Sequence, residues 1–576
     1  MLAILANSPI QAAASCKLGK LAELPITMLG LRPTVTAKIN DADAQFLLDS
    51  GAWYSMVSSA TMAQFHLRET AAPFGLRVTG VGGSTETSIA TVKLFTFAGI
   101  PIHNVEFLVG GSEMGGEVVG LLGQNFLERW DVEYDLAKGV VRILKAEDCK
   151  HANLAYWVAS DQAMSMMDIA YTTPQKPHAT GTAYINGTKI RAMFDSGAST
   201  SMLSLKAAAR AGIKPNSPGV VDAGYFSGIG RRMVKSYLVS LASFKMGDNE
   251  EIKNTRLRIA DIDINEGDML VGADFFLAHH ILISNSQHRV YFTYNGGPVF
   301  NLAQSAAAGA AADTDEPSDA AAYARRGNAF AGRRDFEHAI ADLTRACELS
   351  PSSAEYSYER GMTYWQAERA DLANADFDHA LELNSDYLPA RISRAELRLA
   401  RKDLQAATTD LDTAERIAPK QADDRFTLAR LYQSADLLGR AVEQYDLWIA
   451  NHPDDSKMVR ALNSRCWVRA LQGQDLAAAL NDCNAALRQS DKASAMAAAI
   501  LDGRGLVRLR LGDYDKSIAD FDESLKLVPK SAWPLFGRGV AKIRKNKVTD
   551  GESDIAHAKS LSPTVVDDFS RRGIVP

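Results

Sequence analysis

Hydrophobic and polar positions divide the 576-residue chain into two parts with different periodicities. Before residue 303, short runs of β-branched and aromatic residues alternate with Gly, Pro and Asn, as at 78–81, 91–97, 105–109 and 290–294. Such runs are typical of strands separated by turns. Beyond residue 318, Ala, Leu, Arg and Asp recur at helical spacing. We therefore predict an all-β front part, a linker over 303–318 and an all-α back part.

The back part repeats with a period of 34 residues. Proline residues that end helices are spaced by this period or twice it, at Pro351, Pro419 and Pro453 and again at Pro529 and Pro563. A small residue stands 24 positions before each repeat's end point, at Gly327, Gly361, Ala395, Ala429, Gly505 and Gly539. Small residues let the two helices of a hairpin approach closely. The pattern predicts about seven hairpins over 319–566 and a tail over 567–576, and it resembles the tetratricopeptide repeat (TPR).

The front part also repeats, as copy one over 16–150 and copy two over 179–302, joined by a connector over 151–178. Each copy has a strand, an Asn-containing turn, a second strand and then Asp-Ser-Gly-Ala, at 49–52 and 195–198. A Gly-rich hairpin follows, and then a hydrophobic pair before Gly, at 121–123 and 270–272. The Asp-Ser-Gly-Ala motif, the Gly-rich hairpin and the hydrophobic-Gly motif occur in the same order in both copies. This repetition indicates a duplicated β domain with pseudo-twofold symmetry.

Asp49 and Asp195 are the candidate catalytic groups. Each follows three apolar residues and precedes Ser-Gly-Ala, a pattern that presents a carboxylate at the base of a cleft. Two carboxylates about 3 Å apart cannot both ionise, so one keeps a proton. Such a pair can hold a water molecule as the nucleophile for amide hydrolysis, with one Asp as base and the other as acid.

These motifs resemble the retropepsin-like aspartic proteases, over about 17–145 and 179–300. The resemblance implies an acid-protease fold with both copies in one chain, as in the two-lobed pepsins, and an aspartic endopeptidase activity. It implies that Ser50 and Ser196 lock the two loops together. The supporting loop residues would be Ser50, Gly51, Ala52, Ser196, Gly197 and Ala198, and the flap candidates Gly80, Val81, Gly82, Gly228, Ile229 and Gly230. The alternative is an inactive scaffold that binds extended peptides.

In TPR arrays the first helix of each hairpin lines a concave groove. The candidates for this groove are Tyr358, Trp365, Phe426 and Arg430, with Trp533 and Arg544 further along. Aromatic and Arg side chains are enriched where proteins bind each other tightly. We therefore expect the array to recruit a protein substrate or partner, with the alternative that some of these rings belong to the core between repeats.

Composition narrows the function classes. The net charge is −6 and no long basic run is present, which argues against nucleic acid as a partner. No apolar stretch approaches the ~20 residues that span a bilayer, so no transmembrane segment is predicted. The five cysteines lack metal-ligand spacing, and we predict neither a metal nor another cofactor.

The first residues and the cysteines bear on the compartment. Residues 1–15 are apolar, small and uncharged, and 12–14 resemble a signal-peptidase site, which predicts a truncated signal segment and export to the periplasm. The alternative is a frayed terminus on a cytoplasmic protein. In an oxidising compartment Cys16–Cys149 and Cys466–Cys483 are candidate disulfides and Cys347 is free, whereas the alternative is five buried thiols.

Overall fold

The structure is a computed structural model. It describes residues 16–73, 76–81, 83–110, 118–150, 152–158, 163–170, 178–226, 234–264, 267–296, 299–300, 317, 319–453, 455, 457–490, 492 and 494–576. The suspected signal segment, most of the predicted linker, and the flap candidates Gly82, Gly228, Ile229 and Gly230 lie outside these residues.

The front part consists of two β domains with the same order of elements. The first contains β1 (Lys17–Leu29), β2 (Arg32–Ile39), β3 (Ala42–Leu48), β4 (Met56–Val57), α1 (Ser59–Gln64), β5 (Arg68–Ala71), β6 (Arg77–Gly80), β7 (Gly83–Glu86), β8 (Ser88–Phe97), β9 (Ile100–Val109), β10 (Val118–Leu122), α2 (Gln124–Leu127), β11 (Asp131–Asp135) and β12 (Val140–Glu147). The second, with the preceding connector strand, contains β13 (Ser165–Asp168), β14 (Thr180–Ile185), β15 (Thr188–Phe194), β16 (Met202–Ser204), α3 (Leu205–Arg210), β17 (Val221–Phe226), β18 (Val234–Met246), β19 (Glu250–Ala260), β20 (Met269–Val271), α4 (Ala273–Ala278), β21 (His279–Ser284) and β22 (Arg289–Tyr294).

One parallel strand pair in each domain supports the Asp-Ser-Gly-Ala loop. β3 lies parallel to β10, and β15 lies parallel to β20 in the second domain. The last three residues of both β3 and β15 are buried, as the apolar runs before each Asp predict. Strands buried on both faces are typical of such parallel pairs.

A shared sheet joins the two domains. β11 of the first domain pairs antiparallel with β21 of the second, which places Tyr134 opposite Ile281. The sheet continues outward through β12 and β1 on one side and through β22 and β13 on the other. The strand β13 falls within the predicted connector, so that segment is part of the fold and not only a link between the copies.

The back part is a helical array. Among its described residues, fourteen helices form seven hairpins: α5 (Ala320–Gly332), α6 (Phe336–Leu349), α7 (Ala354–Gln366), α8 (Ala370–Leu383), α9 (Leu388–Ala400), α10 (Leu404–Ile417), α11 (Asp424–Ser434), α12 (Leu438–Asn451), α13 (Met458–Gln472), α14 (Leu476–Gln489), α15 (Ala495–Arg510), α16 (Tyr514–Leu527), α17 (Ala532–Arg544) and α18 (Val548–Leu561). A Cβ added to Gly361 would lie 2.8 Å from the Phe377 ring, so the small residue permits this helix contact. Among the described residues, no helix is long and apolar enough to cross a membrane.

Helix α5 belongs to both parts of the protein. Ala329 is fully buried and shares a hydrophobic core with residues of both β domains. A Cβ on Gly139, after β11, would lie 2.5 Å from the Arg325 Cβ, and one on Gly332 would lie 3.1 Å from the Gly30 carbonyl oxygen. The predicted linker therefore does not separate two independent cores, because the first helix of the array covers apolar surface of the front part.

The predicted tail also packs against the array. A further helix, α19 (Val565–Ser570), overlaps its start, and Phe569 is buried 4.5 Å (centroid to centroid) from the ring of Trp533. Beyond it, Arg510 donates to the Arg572 carbonyl oxygen (2.7 Å) and Arg544 to that of Val575 (3.0 Å). The prediction of a simple tail over 567–576 is corrected, since this segment covers the last repeats.

Both candidate disulfides are present. Cys16 is bonded to Cys149, which ties β1 to the end of β12, and Cys466 is bonded to Cys483, which ties α13 to α14. Cys347 is a free thiol.

We predict that Cys347 is the one thiol available in the oxidised protein. Alkylation under denaturing conditions without reductant, read by mass spectrometry, should modify this residue alone, because the other four sulfur atoms are bonded in pairs. Reduction before alkylation is the control and should modify all five. Modification of Cys16 or Cys149 without reductant would contradict the pairing.

Candidate active site

The two candidate carboxyls lie at the ends of the parallel strand pairs. Asp49 follows β3, and its backbone N–H donates to the Leu122 carbonyl oxygen (3.0 Å). Asp195 follows β15, and its N–H donates to the Val271 carbonyl oxygen (2.9 Å). The motifs Asp-Ser-Gly-Ala and hydrophobic-Gly, which are distant in sequence, are thus neighbours in each domain.

Two serine residues connect the loops across the pseudo-twofold axis. The Ser50 N–H donates to Ser196 Oγ and the Ser196 N–H donates to Ser50 Oγ, both at 3.0 Å. Each hydroxyl then donates into the opposite domain: Ser50 Oγ to the Phe194 carbonyl oxygen (3.0 Å) and Ser196 Oγ to that of Leu48 (2.8 Å). These four buried hydrogen bonds, here called the serine exchange, fix the distance between the two strand ends.

Glycine is required after each serine because the opposite carboxyl occupies the space of a side chain. A Cβ on Gly51 would lie 2.2 Å from Asp195 Cγ, and a Cβ on Gly197 would lie 2.2 Å from Asp49 Cγ. Neither contact could be relieved without moving the carboxyl. The two carboxyls therefore face each other across the glycines, and alanine at either position would separate them.

Burial and proximity determine the charge of the pair. Burial, followed by the neighbouring Asp195 charge, raises the pKa of Asp49 well above its usual value. Burial also raises the pKa of Asp195, but backbone N–H groups at Gly197 and Ala198 oppose this rise by donating to its Oδ1 (3.1 and 3.0 Å). The Gly51 N–H likewise donates to Asp49 Oδ1 (2.9 Å). Because two buried carboxyls this close cannot both ionise, the pair holds one proton between them.

The first Gly-rich hairpin bridges the two domains. β6 and β7 pair antiparallel, with Gly80 opposite Gly83. Val78, near its base, packs on a first-domain cluster that includes Leu47 and Leu121. Val81, at its tip, packs on a second-domain cluster that includes Met193 and Leu270, and Ala198 packs on the same cluster. Of the flap candidates, Gly80 and Val81 thus belong to a hairpin that contacts both domains, and its covering of the carboxyl pair stays a prediction.

Sequence reasoning missed a second layer of polar residues. Asn125 Oδ1 accepts from the N–H and Oγ of Ser55 (2.9 and 2.8 Å), and the Ser55 hydroxyl also accepts from the Gly123 N–H (2.9 Å). The second domain repeats this with Asp274 in place of Asn125, because its Oδ1 accepts from the N–H and Oγ of Ser201 (2.8 and 2.6 Å). These residues link each Asp-Ser-Gly-Ala loop to its hydrophobic-Gly motif. The signal in the sequence was that Asn125 and Asp274 each stand two positions after the Gly of the hydrophobic-Gly motif.

Two further groups contact the first loop from outside the motifs. The Gln124 side-chain amide donates to the Ser50 carbonyl oxygen (2.8 Å). Tyr134 is fully buried on the shared sheet and is hydrogen-bonded to Ser50. Burial raises the pKa of Tyr134, and the hydrogen bond with Ser50 partly offsets this rise. Ala273 stands in the place of Gln124 in the second domain, so the support of the two carboxyls is not symmetrical.

The predicted groove residues of the array separate into core and surface. Phe426 is 6% exposed and packs on Trp448, so its assignment to the groove is wrong. Tyr358 and Trp365 are half-buried against Phe377 on α8, the second helix of the same hairpin. Arg430 is exposed, 3.7 Å from Glu396. Of the later candidates, Trp533 is partly covered by Phe569.

Comparison with known proteins agrees with both parts of the fold. Residues 35–126 and 181–275 match the family profile described as aspartyl protease. The front part is therefore a tandem pair of domains with the aspartyl protease fold. Residues 320–353 and 354–387 match the tetratricopeptide repeat profile, so the array that follows the protease domains is built from TPRs.

Relatives with individual names match over short segments. Serine/threonine-protein phosphatase 5 of Rattus norvegicus is 31% identical over 99 residues, 17% of this chain and 20% of the phosphatase. Hsc70-interacting protein 1 of Drosophila melanogaster is 35% identical over 102 residues, 18% of this chain and 27% of that protein. A tetratricopeptide repeat protein from Parabacteroides merdae is 15% identical with a TM-score of 0.33, covering 44% of this chain and 97% of that structure. The chain thus spans about a fifth of the length of the phosphatases it matches.

The serine exchange should be a cooperative unit. We expect Ser50→Ala and Ser196→Ala each to lower the free energy of unfolding by about 1–3 kcal/mol, because each leaves buried partners unsatisfied. The double variant should lose less than the sum of the two, since both serines serve the same bonds. Urea denaturation measures this, with the exposed Ser240→Ala as control. Strict additivity would contradict a single unit.

Asp274 should make stability depend on pH. Burial raises its pKa to about 7, although Ser201 and the Phe275 N–H donate to it. The unfolded value is about 3.9, so its stabilisation is complete at low pH and is lost as pH rises through about 7. Asp274→Asn should flatten the profile of unfolding free energy between pH 4 and 8. Asn125→Asp, the matched change in the first domain, should make the unfolding free energy depend more steeply on pH. An unaltered pH dependence in both variants would contradict a raised pKa of Asp274.

Proposed function

We propose that this protein is an aspartic endopeptidase whose TPR array recruits protein substrates or partners. The observation that carries the catalytic part is the facing pair Asp49 and Asp195, buried and held by the serine exchange. Both carboxyls come from one chain, so no second subunit is needed to complete the pair.

The shared proton gives the two carboxyls different roles in the first step. With the proton on Asp49, ionised Asp195 accepts a proton from a water molecule held between the carboxyls, while Asp49 donates its proton to the oxygen of the scissile carbonyl. The water oxygen bonds to the carbonyl carbon and gives a neutral gem-diol. Asp195 then returns its proton to the amide nitrogen, Asp49 regains a proton from a diol hydroxyl, and the C–N bond breaks. Protons and electrons balance, and the dyad returns to its starting state.

The role of the flap hairpin would be to exclude water from the cleft. Val81 packs on the same second-domain cluster as Ala198, which supports a hairpin of β6 and β7 that would span the cleft above the pair. A covered, apolar cleft strengthens the electrostatic interactions inside it. A peptide would have to pass beneath this hairpin, which fits a substrate in extended conformation.

Protein recruitment rests on the repeats and on the names of their relatives. Hsc70-interacting protein 1 of Drosophila melanogaster and the Hsp70-Hsp90 organizing protein of Triticum aestivum are named for contact with other proteins. The TPR match supports the same general role here. The array shares a core with the protease domains through Ala329, so a recruited protein would be held at a fixed position relative to the cleft.

We propose further that the protein works in an oxidising compartment, with the periplasm as the location. The bonds Cys16–Cys149 and Cys466–Cys483 support this, because structural disulfides are rare in the reducing cytosol. Alkylation without reductant of protein isolated from its cell would test whether both disulfides form there.

Replacement of either aspartate should abolish peptide cleavage. We expect Asp49→Asn and Asp195→Asn each to lower kcat by at least ~10²-fold, and the double variant to be no worse than either, since one proton relay uses both. The exposed Asp43→Asn should keep full activity. Cleavage of a quenched-fluorescence peptide library measures this, and the wild-type profile should be bell-shaped in pH because the pair titrates in two steps.

Mixing the two inactive variants distinguishes a dyad within one chain from one assembled between chains. A single-chain pair cannot regain activity on mixing. Recovery of cleavage would contradict the proposed geometry, and full activity in either single variant would contradict the mechanism. If the wild type cleaves nothing while still binding library peptides, the protein is a peptide-binding scaffold instead.

A further inference from the structure

Residues 571–576, here called the return segment, follow α19 and run back along the array. The Arg572 carbonyl oxygen accepts from Arg510, the last residue of α15 in the sixth repeat (2.7 Å). Its guanidinium pairs with Asp436, in the turn between the two helices of the fourth repeat. Arg510 also donates to the carbonyl oxygen of Leu471, near the end of α13 in the fifth repeat (2.9 Å). One residue of the segment is thereby connected to three successive repeats.

The remaining residues extend these contacts to the seventh repeat. The Val575 carbonyl oxygen accepts from Arg544, the last residue of α17 (3.0 Å). Ile574 is 3% exposed and belongs to the hydrophobic core of the array. A buried apolar anchor with a rim of hydrogen bonds is a common arrangement in protein–peptide recognition. The array therefore holds the return segment as it would hold a bound peptide.

The contacts place the return segment on the concave side of the array. Its bonded partners on α15 and α17 lie on the first helices of their hairpins, which line the concave surface of a TPR array. On the same side, the ring of Trp467 on α13 lies 5.1 Å (centroid to centroid) from the ring of Trp533 on α17. First helices that are two repeats apart thus meet where the segment lies.

The polar contacts of the return segment are weak. The Asp436 side chain is 55% exposed, so solvent screens its ion pair with Arg572, which contributes at most ~1 kcal/mol. Burial lowers the pKa of Arg510, and the charges of Arg544 and Arg572 lower it further, so three cations lie close together here. Ile574 is the buried anchor. A partner that offers the same contacts could therefore displace the segment.

We propose that the concave face of repeats four to seven binds an extended segment of a protein partner, and that the return segment competes for this face within the chain. The partner segment would carry a basic residue and, two positions later, an aliphatic one, as Arg572 and Ile574 do. A tethered competitor acts at an effective concentration of roughly 1 mM. The inference rests on the proposed recruitment of proteins by the array but not on catalysis.

The test asks whether the return segment binds as a separate peptide once the chain's own copy is released. The released variant carries Arg572→Ala and Ile574→Ala in full-length Asp195→Asn, which leaves peptides uncut. The probe is a fluorescein-labelled peptide of residues 570–576, Ser-Arg-Arg-Gly-Ile-Val-Pro, and binding is read by fluorescence anisotropy. We expect the released variant to bind it at least ~10-fold more tightly than its Asp195→Asn parent, because the tethered competitor is lost.

The neighbouring arginine supplies matched controls. Arg571 is exposed and pairs with Asp568 of its own helix. Arg571→Ala in the parent chain should therefore leave the affinity unchanged, and a peptide with Arg571→Ala should bind like the original. Peptides with Arg572→Glu or Ile574→Asp should bind the released variant at least ~10-fold more weakly, and adding Arg510→Gln to that variant should weaken the original peptide.

Thermal unfolding separates a competitor from a structural cap. The released variant should lose only a few degrees in Tm, because α19 still covers Trp533 through Phe569. Equal affinity of the parent and the released variant would overturn the inference, as would unchanged binding of the Ile574→Asp peptide. A large loss in Tm without a gain in affinity would make the segment a structural cap and would also overturn it.

A second probe distinguishes this inference from recruitment in general. A pool of labelled random decapeptides is applied to the released variant with an excess of a statine-type peptide to fill the cleft. Retention of the pool without a gain for the 570–576 peptide would overturn this binding face and leave recruitment by the array standing. Retention of neither would overturn both.

Discussion

The serine exchange between Ser50 and Ser196 is the constraint on which the candidate site depends. Each serine donates and accepts across the pseudo-twofold axis, so the ends of β3 and β15 cannot separate without breaking four buried hydrogen bonds. This short distance forces Gly51 and Gly197 to lack side chains and places each opposite the other domain's carboxyl. The raised pKa values of both aspartates follow from the same confinement.

The rest of the protein builds outward from this centre. The shared sheet fixes the orientation of the two domains, and Tyr134 on that sheet lies beneath the first loop. Helix α5 adds Ala329 to the domain core, so the first hairpin of the TPR array packs directly on the front part. The two parts of the protein therefore share one hydrophobic core.

The sequence predicted whatever is local or repeated. Duplicated Asp-Ser-Gly-Ala and hydrophobic-Gly motifs predicted the β domains, and the 34-residue period predicted the helical hairpins. Contacts between distant segments could not be predicted. The role of Ala329 depends on which surface α5 meets, the burial of Phe426 depends on the neighbouring Trp448, and α19 returns over the repeats it follows. Asn125 and Asp274 differ in type, which hid their equivalent positions from a search for identical motifs.

The central claim is that Asp49 and Asp195 share one proton and act together on a substrate. Calorimetric titration with a statine-type peptide, whose hydroxyl occupies the place of the attacking water, tests it most directly. We predict tight binding by the wild type and binding at least ~10²-fold weaker by Asp195→Asn, because a transition-state mimic depends on the intact pair. Equal affinity of the two proteins, or no binding by either, would contradict the account.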